Sequence, residues 1–411
     1  MFFNQFQINK FILKAVLEKK YITPTLIQEK AIPIILDKKD LIATAQTGTG
    51  KTAAFALPIL QLLFDKQDSK KNKKKIRALI ISPTRELSIQ INKDFSLFSK
   101  YTNLRSSVIF GGVSIEPQKE ILKKGIDILI ATPGRLLDLH KQDLVNLNHV
   151  EIFVLDEADL MLDMGFINDV KKIARLCPKN KQTVLFSATI PLKVIDLADT
   201  LLEKPENVKI NPLITTVKKI NQYLYYVPKS KKIELCLYVL RNTIKGRVLI
   251  FRRTKFGVDK LEKILINKGY KVASIHGDKS QKARQEALDL FKQKQKTILI
   301  ATDVASRGID IKNLEAVINF DIPSKPEIYV HRIGRTGRAN LSGDSYSFCS
   351  ADEKMYIINI EKLTKKTISI INNHPYLLDA KTKPEVHKKK GSKYKKGRKS
   401  EASKKKKKRW Y

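Results

Sequence analysis

The sequence predicts an α/β protein with two parallel-sheet domains in tandem, a short linker between them and a disordered basic tail at the C-terminus. Short apolar runs alternate with segments of helical periodicity, which is the pattern of helices packed on a parallel sheet. This alternation lapses once, near residues 206–218, where Pro and Asn are frequent, and then begins again. After residue 371 the apolar periodicity ends and Lys, Ser and Gly dominate.

The apolar runs are predicted to form buried strands, because helices cover both faces of a parallel sheet. The first domain has candidate strands at residues 41–44, 78–82, 128–132, 152–156 and 183–187. The second domain has them at residues 248–251, 272–275, 297–301, 316–320 and 345–348. We place the first domain at residues 1–206, the linker at 207–217, the second domain at 218–371 and the tail at 372–411.

The composition excludes membrane-spanning and disulfide-rich classes. No apolar run reaches the ~18–20 residues of a membrane span, and the N-terminus lacks the features of a signal peptide. Cys177, Cys236 and Cys349 are far apart, with neither metal-ligand spacing nor a disulfide framework. We therefore expect a cytoplasmic protein without a membrane partner.

The formal net charge of +38 indicates a polyanionic partner. The chain holds 63 Lys but only 16 Arg, and the scarce Arg residues are the more informative ones. Arg offers a planar fork that matches phosphate in a way that Lys cannot. Seven of the 16 Arg lie in the motifs described below: Arg85, Arg135, Arg284, Arg307, Arg332, Arg335 and Arg338.

A Gly-rich loop follows the first predicted strand and precedes a helical segment, which is the order that a phosphate-binding loop requires. Gly48 and Gly50 allow the backbone N–H groups to point at phosphate oxygens. Lys51 would reach the β- and γ-phosphates, and the Thr52 hydroxyl would ligate Mg²⁺. Ala45 stands where the general pattern has its first Gly, and a chance Gly-Lys-Thr turn is the alternative.

Three acids follow the predicted strand at 152–156, namely Asp156, Glu157 and, after Ala158, Asp159. Open α/β sheets bind ligands at the carboxyl ends of their strands. One acid there can hold Mg²⁺ and the next can act on a water molecule. The alternative is an acidic helix N-terminus, which the helix dipole would favour without any catalytic role.

The acids and the loop, with the motifs that follow them in order, resemble the DEAD-box ATP-dependent RNA helicases of superfamily 2 over roughly residues 1–370. Residues 161–166 resemble the bacterial RhlE-like subgroup in particular. The resemblance implies two RecA-like domains, ATP and Mg²⁺ as ligands, and RNA as the partner. The second domain has no phosphate loop of its own, so it is not a second independent ATPase.

The resemblance assigns the nucleotide site residue by residue. Gln28, Phe3 and Tyr21 would form the adenine site. The alternative for Phe3 is a core residue. Lys20 stands where the family has Gly. The loop would contact the phosphates through Thr47, Gly48, Thr49, Gly50 and Lys51. Asp310 in the second domain would contact the ribose. Mg²⁺ would be held by Thr52 and Asp156. The catalytic residues would be Glu157 as the base, Lys51, Asp156 and the arginine fingers Arg335 and Arg338.

The remaining motifs are assigned to RNA and to coupling. RNA backbone contacts are expected from Thr84, Arg85, Gly112, Thr132, Gly134, Arg135, Gln281, Arg284 and Thr302. Taken singly, each of these is more typical of a turn or a helix cap, and their joint order makes them specific. Coupling of hydrolysis to RNA separation is expected from Ser187, Thr189 and His331.

The function predicted is an ATP-dependent RNA helicase that hydrolyses ATP at a composite two-domain site and locally separates short duplexes or remodels RNA–protein complexes without sequence preference. The alternative is a nucleotide-gated RNA clamp, which needs the same residues. A DNA-directed helicase is disfavoured by the Gln28 motif and by the acids at 156–159.

The cellular role stays open at this point. Ribosome biogenesis and mRNA decay both suit the resemblance, with ribosomal precursors or decay complexes as partners, and we expect a monomer. Residues 381–411 carry 16 Lys and Arg against two acids, a charge of +14, which would add RNA affinity that weakens with salt. The alternative is a tail that only keeps the protein in solution.

Overall fold

The chain forms two parallel seven-stranded sheets within the described part of the computed structural model, which comprises residues 2–46, 48–65, 75–210, 220–306, 314–336 and 343–378. Every strand pair is parallel. The predicted class, two parallel-sheet α/β domains in tandem, is confirmed.

The first sheet has the strand order β3-β4-β2-β5-β6-β1-β7. Its strands are β1 Leu41–Thr44, β2 Ala78–Ile81, β3 Ser106–Ile109, β4 Ile128–Ala131, β5 Ile152–Leu155, β6 Gln182–Ser187 and β7 Glu206–Lys209. The phosphate loop and the acids follow β1 and β5, and both of these strands pair with β6. The topology therefore brings the two motifs to one edge of the sheet.

The second sheet repeats this topology, with the order β10-β11-β9-β12-β13-β8-β14. Its strands are β8 Ile220–Tyr226, β9 Val248–Phe251, β10 Val272–Ile275, β11 Ile298–Ala301, β12 Ala316–Asn319, β13 Gly343–Cys349 and β14 Ser369–Ile370. Each strand has the place of the strand seven numbers earlier, so the two domains share one fold.

Helices cover both sheets. Those of the first domain are α1 Lys10–Glu18, α2 Leu26–Leu36, α3 Lys51–Asp65, α4 Arg85–Phe98, α5 Glu116–Lys123, α6 Pro133–Lys141, α7 Ala158–Asp163, α8 Ile167–Leu176 and α9 Leu192–Leu201. Those of the second domain are α10 Lys232–Asn242, α11 Lys255–Asn267, α12 Gln281–Lys292, α13 Asp303–Ser306, α14 Pro326–Ile333 and α15 Lys354–Thr364.

The central strands β2, β4 and β5 are apolar and buried at every position because the sheet has a core on both faces. In the first domain Ile80 and Val154 pack into one core, and their neighbours Leu79 and Phe153 pack into the other. Successive side chains of a strand point to opposite faces, so a continuous apolar run feeds both cores. The polar residues are displaced to the strand ends, where the site lies.

Two predicted boundaries differ from the structure. Residues 207–209, placed in the linker by the sequence, belong to β7, which pairs with β1. The predicted tail begins too early, because residues 372–378 pack on the second domain. There the His374 ring is buried against Tyr225, and the Leu378 N–H donates to the Tyr226 carbonyl. Residues 211–217 of the predicted linker and 379–411 of the predicted tail lie outside the described residues.

None of the described helices is long and apolar enough to cross a membrane. All three cysteines are buried with free thiols. Among the described residues, no cluster of three or more His, Cys, Asp or Glu side chains is arranged to hold a metal ion.

Candidate nucleotide and RNA site

Three motifs meet where β1, β5 and β6 end. The Gly-rich loop leaves β1, the acids leave β5, and Ser187-Ala188-Thr189 leaves β6, which lies between the other two strands. Parallel strands all point their carboxyl ends the same way, so the first domain gathers these polar groups at one edge. The loop ends at the N-terminus of α3, where free N–H groups favour an anion.

Lys51 is held between the acids. Its Nζ lies 2.7 Å from Oε1 of Glu157 and 3.8 Å from Oδ1 of Asp156. All three side chains are almost fully buried, at 5%, 5% and 2% exposure respectively. Burial disfavours the charge of Lys51, but the carboxylates outweigh it, and the pKa of Lys51 lies above its ordinary value. The loop and the acids are therefore within direct reach of each other.

The acid motif also has the features of a cation site. Burial raises the pKa of Asp156 to about 7, although Lys51 opposes that shift. Among the described residues, the buried Oδ1 of Asp156 accepts no hydrogen bond. A buried carboxylate oxygen without a donor suits a hard cation such as Mg²⁺, and Thr52 brings a hydroxyl to the first turn of α3. The residues present thus fit the expected metal.

Glu157 has a left-handed backbone, with φ 58° and ψ 53°, and it is the N-cap residue of α7. Non-Gly residues rarely adopt this conformation and do so mostly where the surrounding structure requires it. Here it turns the chain sharply between β5 and α7, which places Asp156 and Glu157 side by side near Lys51.

Gln28 joins the segment assigned to adenine to the phosphate loop. Its Oε1 accepts a hydrogen bond from Thr25 N–H (2.9 Å), and its Nε2 donates to the Gly50 carbonyl (3.1 Å). Gly50 has φ +94°, and a Cβ there would lie 2.4 Å from Nε2 of Gln28. The positive φ favours glycine at position 50, and the hydrogen bond from Gln28 ties the two motifs together.

Phe3 lies in the first domain's core. Its ring is 3% exposed and packs on Phe6 and Tyr21, with centroids 6.1 and 6.5 Å apart. Its role at adenine, like that of Tyr21, stays a prediction. Lys20 has φ 60°, a left-handed conformation that the Gly expected at this position would adopt without strain.

The segment after β6 is bonded to the third acid. Thr189 donates to Oδ2 of Asp159 from its N–H (2.9 Å) and its hydroxyl (2.8 Å). The Ser187 hydroxyl accepts from Asp159 N–H (3.1 Å) and donates to the Thr189 carbonyl (2.7 Å). Two of the three predicted coupling residues, Ser187 and Thr189, are thus joined to the acid motif through Asp159, which the site prediction omitted.

A groove of about 440 Å³ lies at the same edge and takes lining from both domains. Its lining includes the predicted RNA contacts Thr84, Arg85, Thr132, Gly134, Arg135 and Arg284. Met164 and Phe166 also line it and add an apolar wall that the sequence analysis did not assign to the site. Thr302 lies at the end of β11, half-buried.

The groove concentrates guanidinium groups. Burial lowers the pKa of Arg85, and the neighbouring Arg284 and Arg135 lower it further. Among the described residues, Nη1 of Arg135 and Nε of Arg284 are buried and make no hydrogen bond. Arg85 lies over Gly112, where a Cβ would be 2.2 Å from its Nη2 and φ is +75°. Three converging guanidinium groups, two of which have an unused donor, suit phosphate groups.

Glu86 bridges the two domains. Its Oε1 accepts from Nε2 of Gln281 (3.1 Å), and its Oε2 lies 3.0 Å from Nη2 of Arg284. We call these three residues the interdomain bridge. Glu86 is 7% exposed, and Gln281 is 8% exposed, so the bridge is shielded from water. A second interdomain pair, Lys325 with Asp163 (3.1 Å), is more exposed.

Only some of the motif residues of the second domain lie within the described part of the chain. Arg335 is buried on the turn after α14, and His331 is half-buried on that helix. Arg332 is a structural residue here, since it donates to both carboxylate oxygens of Asp303 (2.6 and 2.8 Å). Three predicted residues lie outside the described part of the chain: Thr47, Asp310 and Arg338.

Two family models match the chain. The DEAD/DEAH box helicase model matches residues 25–198, and the helicase conserved C-terminal domain matches residues 231–340. The DEAD-box ATP-dependent RNA helicase RhpA of Helicobacter pylori is 41% identical over 360 residues, covering 88% of this chain and 72% of that protein. The chain belongs to the DEAD-box ATP-dependent RNA helicases. Its placement in the RhlE-like subgroup stays a prediction.

Solved structures show the RecA-like fold of this helicase and also bear on its domain arrangement. Saccharomyces cerevisiae Dbp5 bound to RNA and ADP BeF3 matches with a TM-score of 0.81 at 32% identity, covering 90% of this chain and 95% of that chain. A DEAD box protein from Methanococcus jannaschii is 40% identical, yet its TM-score is 0.52, with 90% and 99% covered. The helicase is thus closer in shape to the less identical, ligand-bound protein.

Proposed function

We propose that this helicase hydrolyses ATP at a site that both domains complete, and that it uses the resulting closure to separate short RNA duplexes or to remodel RNA–protein complexes. The observation that carries the proposal is the arginine-lined groove shared by the two domains. RNA bound there would contact both domains at once, so it would favour the closed arrangement. ATP and RNA should then bind with positive, reciprocal coupling.

In the nucleotide site, Lys51 is proposed to leave its pair with Glu157 and bind the β- and γ-phosphates. Glu157 would then be free to orient the attacking water and accept its proton. Thr52 and Asp156 would hold Mg²⁺, which neutralises phosphate charge when bound. Gln28 would contact adenine while it holds Gly50, so the loop would respond to the base.

The second domain is proposed to supply the remaining groups. Asp310 would contact the ribose, while Arg335 and Arg338 would act as arginine fingers, a role worth about 10³–10⁵ in rate. The first domain alone would therefore hydrolyse ATP slowly, and catalysis would require closure.

RNA recognition is proposed to be of the backbone. Arg85, Arg135 and Arg284 present N–H donors, which suit phosphate oxygens and carry no sequence information. The open face of Gly134, where a Cβ would meet no atom within 4 Å, leaves room for a sugar to approach. Contacts to 2′-hydroxyl groups would favour RNA over DNA.

Ser187 and Thr189 are proposed to transmit the state of the acids to the groove. Both bond Asp159, which lies two residues after Glu157 in the first turn of α7. A change at the acids on hydrolysis would therefore move the segment after β6. His331 is proposed to join this coupling from the second domain.

Strand separation under multiple turnover tests the proposal against the alternative of a nucleotide-gated RNA clamp. A helicase should separate a short RNA duplex repeatedly with ATP and should not do so with a non-hydrolysable analogue. Tight, ATP-dependent RNA binding without repeated separation would instead support the clamp. We further propose that the protein is a cytoplasmic monomer that acts on ribosomal precursors or mRNA-decay complexes. Sedimentation of the protein would test the monomer, and identification of the RNA that copurifies with it would test the substrate.

A further inference from the structure

The amino edge of the first sheet, opposite the nucleotide site, carries a second groove of about 930 Å³. Three segments line it: residues 38–40 before β1, the C-terminal half of α8 with the turn into β6, and residues 200–204 before β7. We call it the basal groove. Nothing in the proposed catalytic cycle uses it.

The basal groove is strongly basic. Seven Lys and Arg line it against two acids, Asp40 and Glu203, which leaves a formal charge of +5. Within the described part of the chain, six of these cations form no ion pair: Lys38, Lys171, Arg175, Lys179, Lys181 and Lys204. Clustered cations without counterions repel one another, and a polyanion would relieve that repulsion.

One of the two acids, Asp40, already accepts hydrogen bonds from two backbone N–H groups. Oδ1 of Asp40 accepts from Thr183 N–H and Oδ2 accepts from Glu203 N–H, each at 2.7 Å. Asp40 therefore serves as a brace between β1, β6 and the segment before β7, and it does not pair with the lysines. The positive charge of the groove is left largely uncompensated.

The floor of the groove contains an unsatisfied acceptor. Gln182 is 8% exposed, and its Nε2 donates to the carbonyls of Ile35 (3.1 Å) and Lys39 (2.7 Å). These bonds fix the orientation of the amide, and among the described residues its Oε1 accepts no hydrogen bond. A phosphate cannot donate to this oxygen, but a ribose 2′-hydroxyl, or a water molecule that it holds, can.

We propose that the basal groove is a second RNA contact, which binds the phosphates of RNA that extends beyond the arginine-lined groove shared by the two domains, called the catalytic groove below. The inference rests on the proposed function, because it takes RNA as the ligand. Gln182 and Ser187 begin and end β6, five residues apart, so the two edges of the sheet lie about 17 Å apart along this strand. An RNA that leaves the catalytic groove can therefore reach the basal groove around the domain's edge.

RNA is favoured over an acidic peptide for two reasons. A ribose 2′-hydroxyl can donate to the Gln182 acceptor and a carboxylate cannot, whereas the Arg175 fork suits phosphate and carboxylate alike. RNA is also the polyanion that the arginine-lined groove already brings to this domain.

The test compares RNA length in the full chain. A charge-reversed variant, Lys171→Glu with Arg175→Glu and Lys179→Glu, alters only half-buried or exposed side chains. Its matched control carries the same charge change on exposed residues at and after α11: Lys260→Glu, Lys263→Glu and Lys268→Glu. Binding is measured by fluorescence anisotropy against salt, with a short single strand that fills only the catalytic groove and with a longer RNA.

We expect the basal-groove variant to lose roughly tenfold in affinity for the longer RNA. The slope of log affinity against log salt concentration should become shallower by about 2, since each phosphate contact contributes ~0.7 on single strands. Its affinity for the short strand and its ATPase rate at saturating short RNA should stay close to those of the control. An equal loss on both RNAs, a loss no larger than the control's, or no loss would overturn the inference. Failure of the proposed function would differ, because the unmodified protein would then show no RNA-stimulated ATPase.

Discussion

At the residue scale, the nucleotide site is built from opposite charges held out of water. Lys51 and Glu157 are both about 95% buried and 2.7 Å apart, so their attraction is only weakly screened. A buried cation left without its partner carries a large cost. ATP can supply a replacement for the carboxylate in the form of its phosphates, which is why this pair suits a site that alternates between empty and loaded states.

Replacing Glu157 with Gln tests the assignment of the base. We expect Glu157→Gln to bind ATP and RNA but to hydrolyse ATP about 10²–10⁴-fold more slowly, because an amide cannot accept the proton of water. Steady-state ATPase with parallel nucleotide and RNA titrations measures both effects. Glu120→Gln, on an exposed face of α5, is the control. Undiminished hydrolysis by the Glu157 variant would refute its role.

The three thiols give a second prediction at this scale. Burial raises the pKa of Cys177, Cys236 and Cys349 to about 12 each. Only the thiolate is nucleophilic, so at about pH 8 roughly 10⁻⁴ of each thiol would be reactive. We expect iodoacetamide to label none of them in the native protein within minutes and all of them in denaturant. Rapid labelling of a native cysteine, located by mass spectrometry, would contradict its burial.

The sequence predicted the motif residues but not all of the residues that they contact. The Lys51 and Asp156 assignments required only the loop and the strand-end acids. Glu86 directly follows the predicted RNA contacts Thr84 and Arg85, but its bond to Arg284 links residues 198 positions apart, which no local pattern encodes. The one available signal for this contact was an acidic residue in a motif that otherwise offers hydrogen-bond donors to phosphate.

At the element scale, strands buried on both faces were predicted well and edge strands poorly. β5 has four buried residues in succession, which is the pattern that the sequence analysis sought. β7 has one buried residue of four, at the sheet edge, and its composition is that of a loop. β3 and β8 alternate between buried and partly exposed residues. Their pairing is set by neighbouring strands, so tertiary structure decides them.

The interdomain bridge gives the prediction for this scale. Glu86→Gln removes the charge that holds Arg284, and hydrogen bonds to charged groups are worth about 1.5–3 kcal/mol. We expect the RNA concentration for half-maximal ATPase to rise on the order of tenfold. Thermal unfolding should change little, because each domain keeps its own cores.

The control for the bridge is Lys325→Ala, which removes the more exposed interdomain pair with Asp163. Such pairs contribute about 0–1 kcal/mol, so the RNA requirement should change less than about fivefold. If Glu86→Gln behaved like this control, the bridge would not hold the domains together.

At the scale of the whole molecule, the two-domain architecture followed from a repeated strand–helix series, but the arrangement of the domains did not. Nothing in the strand or helix patterns states that Gln281 on α12 lies against Glu86 on α4. Contacts across the domain interface depend on the linker path and on surface shape. The sequence therefore predicted which residues belong to a composite site without predicting their contacts.

Removing residues 381–411 tests the tail's role in the whole molecule. The deletion takes away a charge of +14, so we expect weaker RNA binding and a shallower dependence of affinity on salt. The ATPase rate at saturating RNA should be nearly unchanged, because the motifs are all upstream. A collapse of that saturated rate would show that the tail belongs to the catalytic machinery.

The central claim is that RNA drives the closure that completes the ATPase site. Steady-state ATPase of the full chain, measured without nucleic acid, with single-stranded RNA and with DNA of the same sequence, tests it most directly. We expect little hydrolysis alone, strong stimulation by RNA and little by DNA. A rate indifferent to RNA, or raised equally by DNA, would contradict the account even though every motif is in place.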